Sequence, residues 1–245
     1  MNKNLLFVFI LCTTYSQAQL KDCSQCNTVV YTTSDIAKNT LYELQLLRNE
    51  VFARHRYVFK SVRLEDYFLT KEWYNPNHDD VVQVQLNAIE KKNVTLFRDK
   101  ETEIENQRKQ LFKELTTLKE ALQTNNAPQI KKYLSNVLPE DEGYDNAIQG
   151  LTRMFAIIDL DDIHWYKDTA LYQVKIDNGF LVKVIALRIN GNEITLSAGD
   201  ISHSEIMTEP FKYGSDYHSE DEYYVAWIFN FDGQRLVLKD RQIAG

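Results

Sequence analysis

The sequence predicts an α+β fold: a small all-helical N-terminal domain, a long connecting helix, and then helices packed on a curved, five-stranded antiparallel sheet. Two observations carry this prediction. Apolar residues recur at intervals of three and four between residues 34 and 158, the period of an amphipathic helix, and at intervals of two from residue 171 onward, the period of a strand. Because the helices precede the strands and do not alternate with them, a parallel α/β fold is disfavoured.

The first 18 residues have the three-part layout of a secretory signal peptide. Lys3 supplies a positive charge, the apolar run LLFVFILC follows, and small residues stand at Ser16 and Ala18. The run is shorter than the roughly 20 residues that span a bilayer. We therefore expect export to the periplasm or the medium, without a membrane span, and a mature chain that starts near Gln19. The alternative is a lipid on Cys12, although bulky residues precede it.

The charge balance disfavours two classes of partner. The chain has 28 basic and 35 acidic side chains and a net charge of −7, with no dense basic stripe. An acidic surface repels phosphate backbones, so nucleic acid is not an expected partner, and anionic membranes are disfavoured for the same reason. Hydrophobic residues make up 44% of the chain, which suffices for one large or two small cores.

Cys23 and Cys26 are the two cysteines that cleavage would leave, spaced C-x-x-C. A thiol–disulfide motif needs a preceding strand and a helix that begins at its first cysteine, because the helix N-terminus lowers the thiol pKa. A zinc site needs further Cys or His ligands, and a second C-x-x-C is missing from the sequence. We therefore predict a local disulfide in an N-terminal tail, residues 19–34, ahead of redox or metal chemistry.

A helical domain is predicted over residues 35–100. Its first helix is expected to be capped by Ser34 or Asp35, and a short second helix leads to a turn that carries Trp73 and Tyr74. Four residues give the first helix its apolar face: Leu41, Leu44, Leu47 and Val51. Three residues do the same for the second helix: Leu64, Tyr67 and Phe68.

Three basic side chains stand out in the first helix. Arg48 and His55 lie on its apolar face, whereas Arg54 follows Glu50 by four residues and is expected to pair with it near the surface. A charge that points inward needs a partner. The expected partners of Arg48 are two acidic residues of the second helix, Glu65 and Asp66.

Two interpretations of these residues stay open. Arg48 and His55 either hold the two helices together, as buried polar groups generally do, or they take part in a ligand site. The ligand-binding candidates are Arg48, Arg54, His55, Trp73 and Tyr74.

The stretch LRNEVFARHRYVFKS, with Leu64, Tyr67-Phe68, Trp73-Tyr74 and Pro76-Asn77 after it, resembles the YARHG domain of exported bacterial proteins over about residues 40–100. Two positions depart from the family pattern, with Phe52 in place of Tyr and Arg56 in place of Gly. The loss of Gly implies that a positive φ at residue 56 is either absent or strained. The resemblance implies an envelope location and a cell-wall or other envelope partner, and supplies no catalytic residue.

A long helix is predicted from about Asn87, and its polar section, residues 98–110, indicates a connection between domains, which we assign to residues 101–123. Residues 124–245 are expected to form the α+β domain. Its strands are separated by turns at Asp177-Asn178-Gly179, Asn190-Gly191 and Asp232-Gly233, which supply the positive φ of tight hairpins. This order of elements weakly resembles the cone-shaped fold of nuclear transport factor, which implies binders and enzymes alike.

Two acidic stretches that contain histidine are candidates for metal sites. In IDLDDIHWYKD the calcium-loop pattern fails, because Ile163 and His164 occupy the fifth position and the position of the required Gly. In HSEIMTEPFKYGSDYHSEDEYY no recognised ligand spacing occurs, and a solvated acidic loop is predicted. No metal and no cofactor are therefore expected.

Three functional classes follow. The first, which the sequence favours, is an exported, non-enzymatic binding protein. The second is an envelope hydrolase that uses His164 with Asp162 or Glu205 in a C-terminal cavity, which requires those groups to converge. The third is a thiol–disulfide protein.

Overall fold

The structure is a computed structural model. It describes the following residues, with the side chains of 201–203 excepted: 19–78, 83–134, 137–138, 143–179, 181–203 and 223–244. The chain divides into two units, Met1–Glu101 and Thr102–Gly245. Helices come first and an antiparallel sheet follows, so the predicted α+β class is confirmed.

The described part of the chain contains five helices and six strands. The helices are α1 Leu41–Arg54, α2 Val62–Leu69, α3 Ala88–Gln123, α4 Ala127–Leu134 and α5 Tyr144–Ile157. The strands are β1 His164–Tyr166, β2 Thr169–Asp177, β3 Leu181–Asn190, β4 Glu193–His203, β5 Tyr223–Phe231 and β6 Leu236–Ala244.

Helix α1 begins at a capping box. The Thr40 hydroxyl accepts from the Glu43 N–H at 3.3 Å, and the Glu43 carboxylate accepts from the Thr40 N–H at 2.9 Å. The cap predicted at Ser34 or Asp35 is therefore wrong. Residues 33–38 form turns, in which the Asp35 carboxylate accepts from the Thr32 N–H at 2.7 Å. That bond pairs a backbone N–H within a turn, and not one at the first turn of a helix.

Helix α3 also begins at a capping box, one residue after the predicted start. Asn87 Oδ1 accepts from the Glu90 N–H at 2.9 Å, and Glu90 accepts from the Asn87 N–H at 2.8 Å. The division between the two units falls at Glu101, within the polar section of this helix. From Leu111 onward the helix contributes buried residues to the core of the C-terminal unit.

The segment before α1 packs within the N-terminal unit. Cys23 and Cys26 form a disulfide and are 0% and 2% exposed. Asn93 of α3 is fully buried beside them and donates to the carbonyls of Cys26 at 2.9 Å and Val29 at 2.7 Å. It also accepts from the Tyr31 N–H at 2.9 Å. One amide side chain thus satisfies three backbone groups of this segment, which is the usual fate of buried polar groups.

The six strands form one antiparallel sheet in chain order, β1 to β6. The prediction of five strands missed β1, a strand of three residues whose turn into β2 consists of Lys167 and Asp168. Lys167 has a φ of 58°, a conformation usually signalled by Gly or Asn. At the predicted hairpin turns, by contrast, Gly179, Gly191 and Gly233 have the expected positive φ.

The core of the C-terminal unit lies between the sheet and the helices. The second half of α3 packs with α4, α5 and one face of the strands in a single cluster. Its largest fully buried side chains include Trp227, Tyr133, Phe155 and Phe229. The β3–β4 pairing shifts register at Val182/Lys183, a bulge of the kind that bends strands.

Candidate functional site

Arg48 of α1 forms a two-point ion pair with Glu101 of α3. Its Nε donates to Oε1 at 2.7 Å and its Nη2 donates to Oε2 at 3.2 Å. The Arg48 side chain is 25% exposed, and Glu101 as a residue is 7% exposed. The predicted partners on α2, Glu65 and Asp66, are wrong because a carboxylate from a different helix occupies this guanidinium.

Arg54 pairs with Glu50, as its spacing of four residues predicted. Its Nε donates to Glu50 Oε1 at 2.9 Å, and its guanidinium carbon lies 4.2 Å from the centroid of the Trp73 ring. Glu50 is only 8% exposed. The Arg54 side chain is 30% exposed, close to the 25% of Arg48, so the predicted contrast between an inward and a surface arginine is not found.

His55 is the C-cap residue of α1 and contacts α3. Its Nε2 lies 2.8 Å from Oε1 of Glu90, a residue that is 5% exposed. The other oxygen of Glu90 accepts the Asn87 N–H that begins α3. His55 therefore joins the end of α1 to the start of α3, and not to α2 as predicted.

Tyr74 is buried in an aromatic cluster. Its hydroxyl lies 2.7 Å from the Tyr57 carbonyl and 2.9 Å from Oε2 of Glu65, the oxygen that also accepts from the Phe59 N–H at 2.9 Å. The pKa of Tyr74 is raised, chiefly because burial disfavours the charged phenolate and also because Glu65 contacts the hydroxyl. Trp73, its neighbour, is 40% exposed. Among the five predicted site residues, the structure places Arg54 over the ring of Trp73. Trp73 in turn contacts Tyr74 edge-on, with ring centroids 6.3 Å apart.

Arg56 has a φ of 64°, in the left-handed region that favours glycine. Its carbonyl accepts from the Asn77 N–H at 3.1 Å, and its Nε donates to the Asn75 carbonyl at 3.0 Å. These bonds anchor the turn that carries Trp73. The positive φ is thus present at the position where the resemblance had implied glycine, and a residue with a Cβ adopts it at some cost.

The C-terminal unit contains a cavity of about 820 Å³ between α5 and strands β3 to β6. Its walls are mostly apolar. The apolar side chains are Ala147, Met154, Ile157, Ile185, Ala198, Val225 and Trp227.

The register of the sheet arranges the polar and apolar groups of this cavity in rows. Lys183, Asp200 and Tyr223 lie opposite one another on β3, β4 and β5, and Lys183 Nζ is 3.6 Å from Asp200 Oδ1. Side chains two positions apart on a strand share a face. The adjacent row toward the core is therefore formed by Ile185, Ala198 and Val225.

Positive charge dominates the cavity lining. Among the described lining residues, Arg153, Lys183 and Arg241 are basic and Asp200 is acidic, three positive charges against one negative. The guanidinium carbon of Arg241 lies 4.9 Å from the centroid of the Trp227 ring. Its Nε is buried and has no hydrogen-bond acceptor within the described part of the chain. Sequence reasoning missed these residues, because one helix and two strands bring them together and no local pattern marks them.

Of the predicted hydrolase residues, His164 and Asp162 are not among the described residues that line this cavity. His164 Nε2 is 3.0 Å from Asp162 Oδ1, and these side chains are 84% and 61% exposed. Glu205 and most of the stretch that contains it lie outside the described residues, so that candidate has no structural account here. Where side chains are described, no group of three or more metal-ligating residues occurs. Within the described ranges, no helix combines the length and the apolar character that crossing a membrane requires.

Comparison with known proteins identifies one region. Residues 21–102 match the YARHG domain, which confirms the resemblance and extends it to include the disulfide segment. No curated protein and no solved structure matches the chain, so the likeness of the C-terminal half to the cone-shaped fold stays a prediction. The domain is associated with exported proteins, in agreement with the export predicted from the N-terminus. The match covers most of the N-terminal unit and ends one residue beyond it, and the C-terminal unit lies outside it apart from that residue.

Proposed function

We propose that the protein is an exported, non-enzymatic binding protein whose small-molecule site is the cavity of the C-terminal unit. The observation that carries this proposal is the cavity itself. Its volume of about 820 Å³ falls within the range of roughly 300–1,000 Å³ typical of ligand sites. Its mostly apolar walls with a few polar groups are also typical of such sites.

The chemistry of the lining supports binding over catalysis. General acid–base catalysis needs a positioned titratable side chain, most often His, and covalent catalysis commonly uses Ser, Cys or Thr. The described lining contains no His, Cys, Ser or Thr, and its one carboxylate, Asp200, is engaged by Lys183. The exposed pair of His164 and Asp162 lacks the enclosure that tunes catalytic groups.

The cavity can be tested with the neutral fluorophore N-phenyl-naphthylamine, whose emission rises in apolar surroundings. Gly150 of α5 lines the cavity, and a Cβ built there meets no atom within 4 Å. Gly150→Phe therefore adds a ring at the cavity wall, from a Cβ position that is open, whereas Gly150→Ala adds one methyl group. We expect saturable binding to the unaltered protein and to Gly150→Ala, and affinity at least about tenfold lower in Gly150→Phe, since tenfold corresponds to about 1.4 kcal/mol. Equal affinity in all three proteins would contradict the proposal.

A second candidate function, association with the cell wall or another envelope component, belongs to the N-terminal unit. The observation that favours it is Trp73, an aromatic side chain that is 40% exposed and carries Arg54 on its ring. Exposed aromatic residues beside arginine are common at recognition surfaces. Leu69 of α2 is 56% exposed and provides a matched apolar control.

Cosedimentation with purified peptidoglycan tests this second candidate. We expect Trp73→Ala to reduce the bound fraction severalfold and Leu69→Ala to leave it unchanged. If neither the unaltered protein nor the Leu69→Ala variant sediments with the wall, the N-terminal unit has another partner. Retained binding by Trp73→Ala would likewise remove Trp73 from the site.

A further inference from the structure

Two arginines of the cavity have no ion-pair partner among the described residues of an acidic protein. The chain carries 35 acidic and 28 basic side chains, so a carboxylate is the more common charged neighbour. Yet Arg153 and Arg241 form no ion pair within the described part of the chain, whereas Lys183 in the same lining is paired with Asp200. Among the basic residues of the described lining, the two arginines therefore carry the positive charge that no ion pair offsets.

Arg241 has a further unmet requirement. It lies on β6 opposite Trp227 of β5 and stacks on that ring, which fixes its guanidinium against the wall of the cavity. Its Nε–H is buried and has no acceptor among the described residues. Buried donors without an acceptor are few in native proteins and call for an explanation. A ligand with a hydrogen-bond acceptor would provide a partner for the Nε–H of Arg241.

The start of α5 adds to the positive potential of the same cavity. Gly143, the N-cap residue, supplies no side-chain capping bond, and Gly143, Asn146 and Ala147 all line the cavity. The N-terminus of a helix carries about half a positive charge and attracts anions. At α5 this partial charge is offset in part by Asp145 in the first turn, so the full charges of the two arginines are the main attraction for an anion.

We propose that the cavity binds an amphipathic anion: a molecule with one carboxylate, sulfonate or phosphate group and an apolar body. The acidic group contacts Arg241 and Arg153, and the body packs against Met154, Ile185 and Val225. This inference rests on the proposed binding function and adds the charge class of its ligand. A cationic ligand would instead meet like charge in partly desolvated surroundings, where repulsion is strong.

The matched pair of dyes N-phenyl-naphthylamine and anilinonaphthalene sulfonate tests the charge, because the second differs from the first by a sulfonate. We expect the anionic dye to bind the full-length protein at least about tenfold more tightly than the neutral dye. Raising the salt concentration should weaken only the anionic dye, since screening acts on charge. Each titration is repeated with Gly150→Phe. The fluorescence that this variant abolishes is assigned to the cavity, and only that part is compared between the two dyes.

Three substitutions assign the effect to residues. Arg241→Gln and Arg153→Gln should each reduce the preference for the anionic dye by about fivefold or more, because a hydrogen bond to a charged group is lost. Arg188→Gln is the control, since residue 188 is exposed and lies on the opposite face of β3 from Lys183. Melting curves identify any variant that fails to fold, and Arg153→Gln, at an exposed position, keeps the test decisive if Arg241→Gln does not.

Displacement of the neutral dye identifies the acidic group. Decanoate and decyl phosphate should displace it at lower concentrations than decanol, and decylammonium should be weakest. The better of the two anions tells a carboxylate from a phosphate head group. Equal affinity for the two dyes, or displacement by decylammonium as strong as by the anions, overturns this inference and leaves the binding function intact. Failure of both dyes to bind the cavity overturns the binding function as well.

Discussion

The basic side chains of the two units differ in what they contact. In the N-terminal unit, Arg48, Arg54 and His55 each contact a glutamate that is at most 8% exposed. In the C-terminal unit, Arg153 and Arg241 line a cavity and have no ion pair within the described residues. The first group is accounted for by packing, whereas the second is available to a ligand.

This difference shows that the basic residues that stand out in the sequence are not the ones whose charges are free to bind a ligand. The Arg-His-Arg cluster of the sequence attracts a functional interpretation because its charges are adjacent. Nearly buried glutamates explain two of its residues equally well, since Arg54 contacts Glu50 and His55 contacts Glu90. Arg56, the third, donates to the Asn75 carbonyl. A buried carboxylate is tolerated only when hydrogen bonds or opposite charge compensate it. The two arginines of the cavity, which form no ion pair among the described residues, are 88 positions apart in the chain, at residues 153 and 241, and form no cluster in the sequence.

The largest expected effect is the loss of the Arg48–Glu101 pair. Arg48→Ala strands a carboxylate that is 7% exposed, and we expect the free energy of unfolding to fall by about 3 kcal/mol, the lower end of the range for a broken buried pair. Urea unfolding measures it. The double variant with Glu101→Gln should cost less than the sum of the single variants, because the two residues interact. A loss below about 1 kcal/mol would contradict a structural role.

Arg54→Ala should have the next largest effect. An exposed pair four residues apart contributes about 0.2–0.5 kcal/mol, but Glu50 is 8% exposed and Arg54 also stacks on Trp73. We therefore expect a loss of about 2 kcal/mol from the stranded carboxylate and the lost cation–π contact. Arg54→Lys is the control, since it keeps the charge and loses the planar stack, and its loss should be intermediate. Equal stability of all three proteins would place Arg54 on the surface after all.

Tyr74→Phe should cost about 1 kcal/mol, because the hydroxyl bonds in a buried cluster are lost. The pKa of Tyr74 is raised in the folded protein, so its contribution to stability is complete below the unfolded pKa of about 10 and falls as the pH rises above it. Urea midpoints measured on either side of that pH should therefore converge between the two proteins. Tyr166→Phe, at a ring that is 72% exposed, is the control and should show neither effect.

Arg56→Gly should stabilise the N-terminal unit slightly. Removing the Cβ relieves the left-handed backbone at φ 64°, which outweighs the greater flexibility of glycine and the lost bond to Asn75 by about 0.5 kcal/mol. Thermal unfolding measures the gain. Asn125→Gly is a control at φ 50°, and its gain should be smaller because asparagine tolerates this conformation. A destabilised Arg56→Gly would show that the side-chain bond dominates.

The smallest effect is expected at Arg153. It is exposed and forms no ion pair in the described part of the chain, so Arg153→Gln should change the free energy of unfolding by less than about 0.5 kcal/mol. The same urea experiment that measures Arg48→Ala checks it, with Arg188→Gln as the reference for an exposed arginine. A loss comparable to that of Arg48→Ala would remove the distinction between the two units.

Local chemistry made much of the fold predictable. The hairpin turns that contain glycine, the switch from helical to strand period, and the pairing of Arg54 with Glu50 all depend on residues within a few positions of one another. Strand β1 escaped prediction because its turn places Lys167 at a positive φ without Gly or Asn. The cap of α1 was misplaced because Asp35 satisfies a turn, while Thr40 and Glu43 form the capping box.

By itself, the sequence determined the α+β order, the similarity to the YARHG domain and five of the six strands, because periodicity, turn residues and motifs are properties of short segments. Only the tertiary structure decided the partners of Arg48 and His55 and which charges line the cavity. Glu101 is 53 positions from Arg48, and Arg153, Lys183 and Arg241 meet around one cavity from a helix and two strands. Which carboxylate contacts which basic side chain depends on how segments distant in the sequence pack together. The residue pattern of a single segment does not specify that packing.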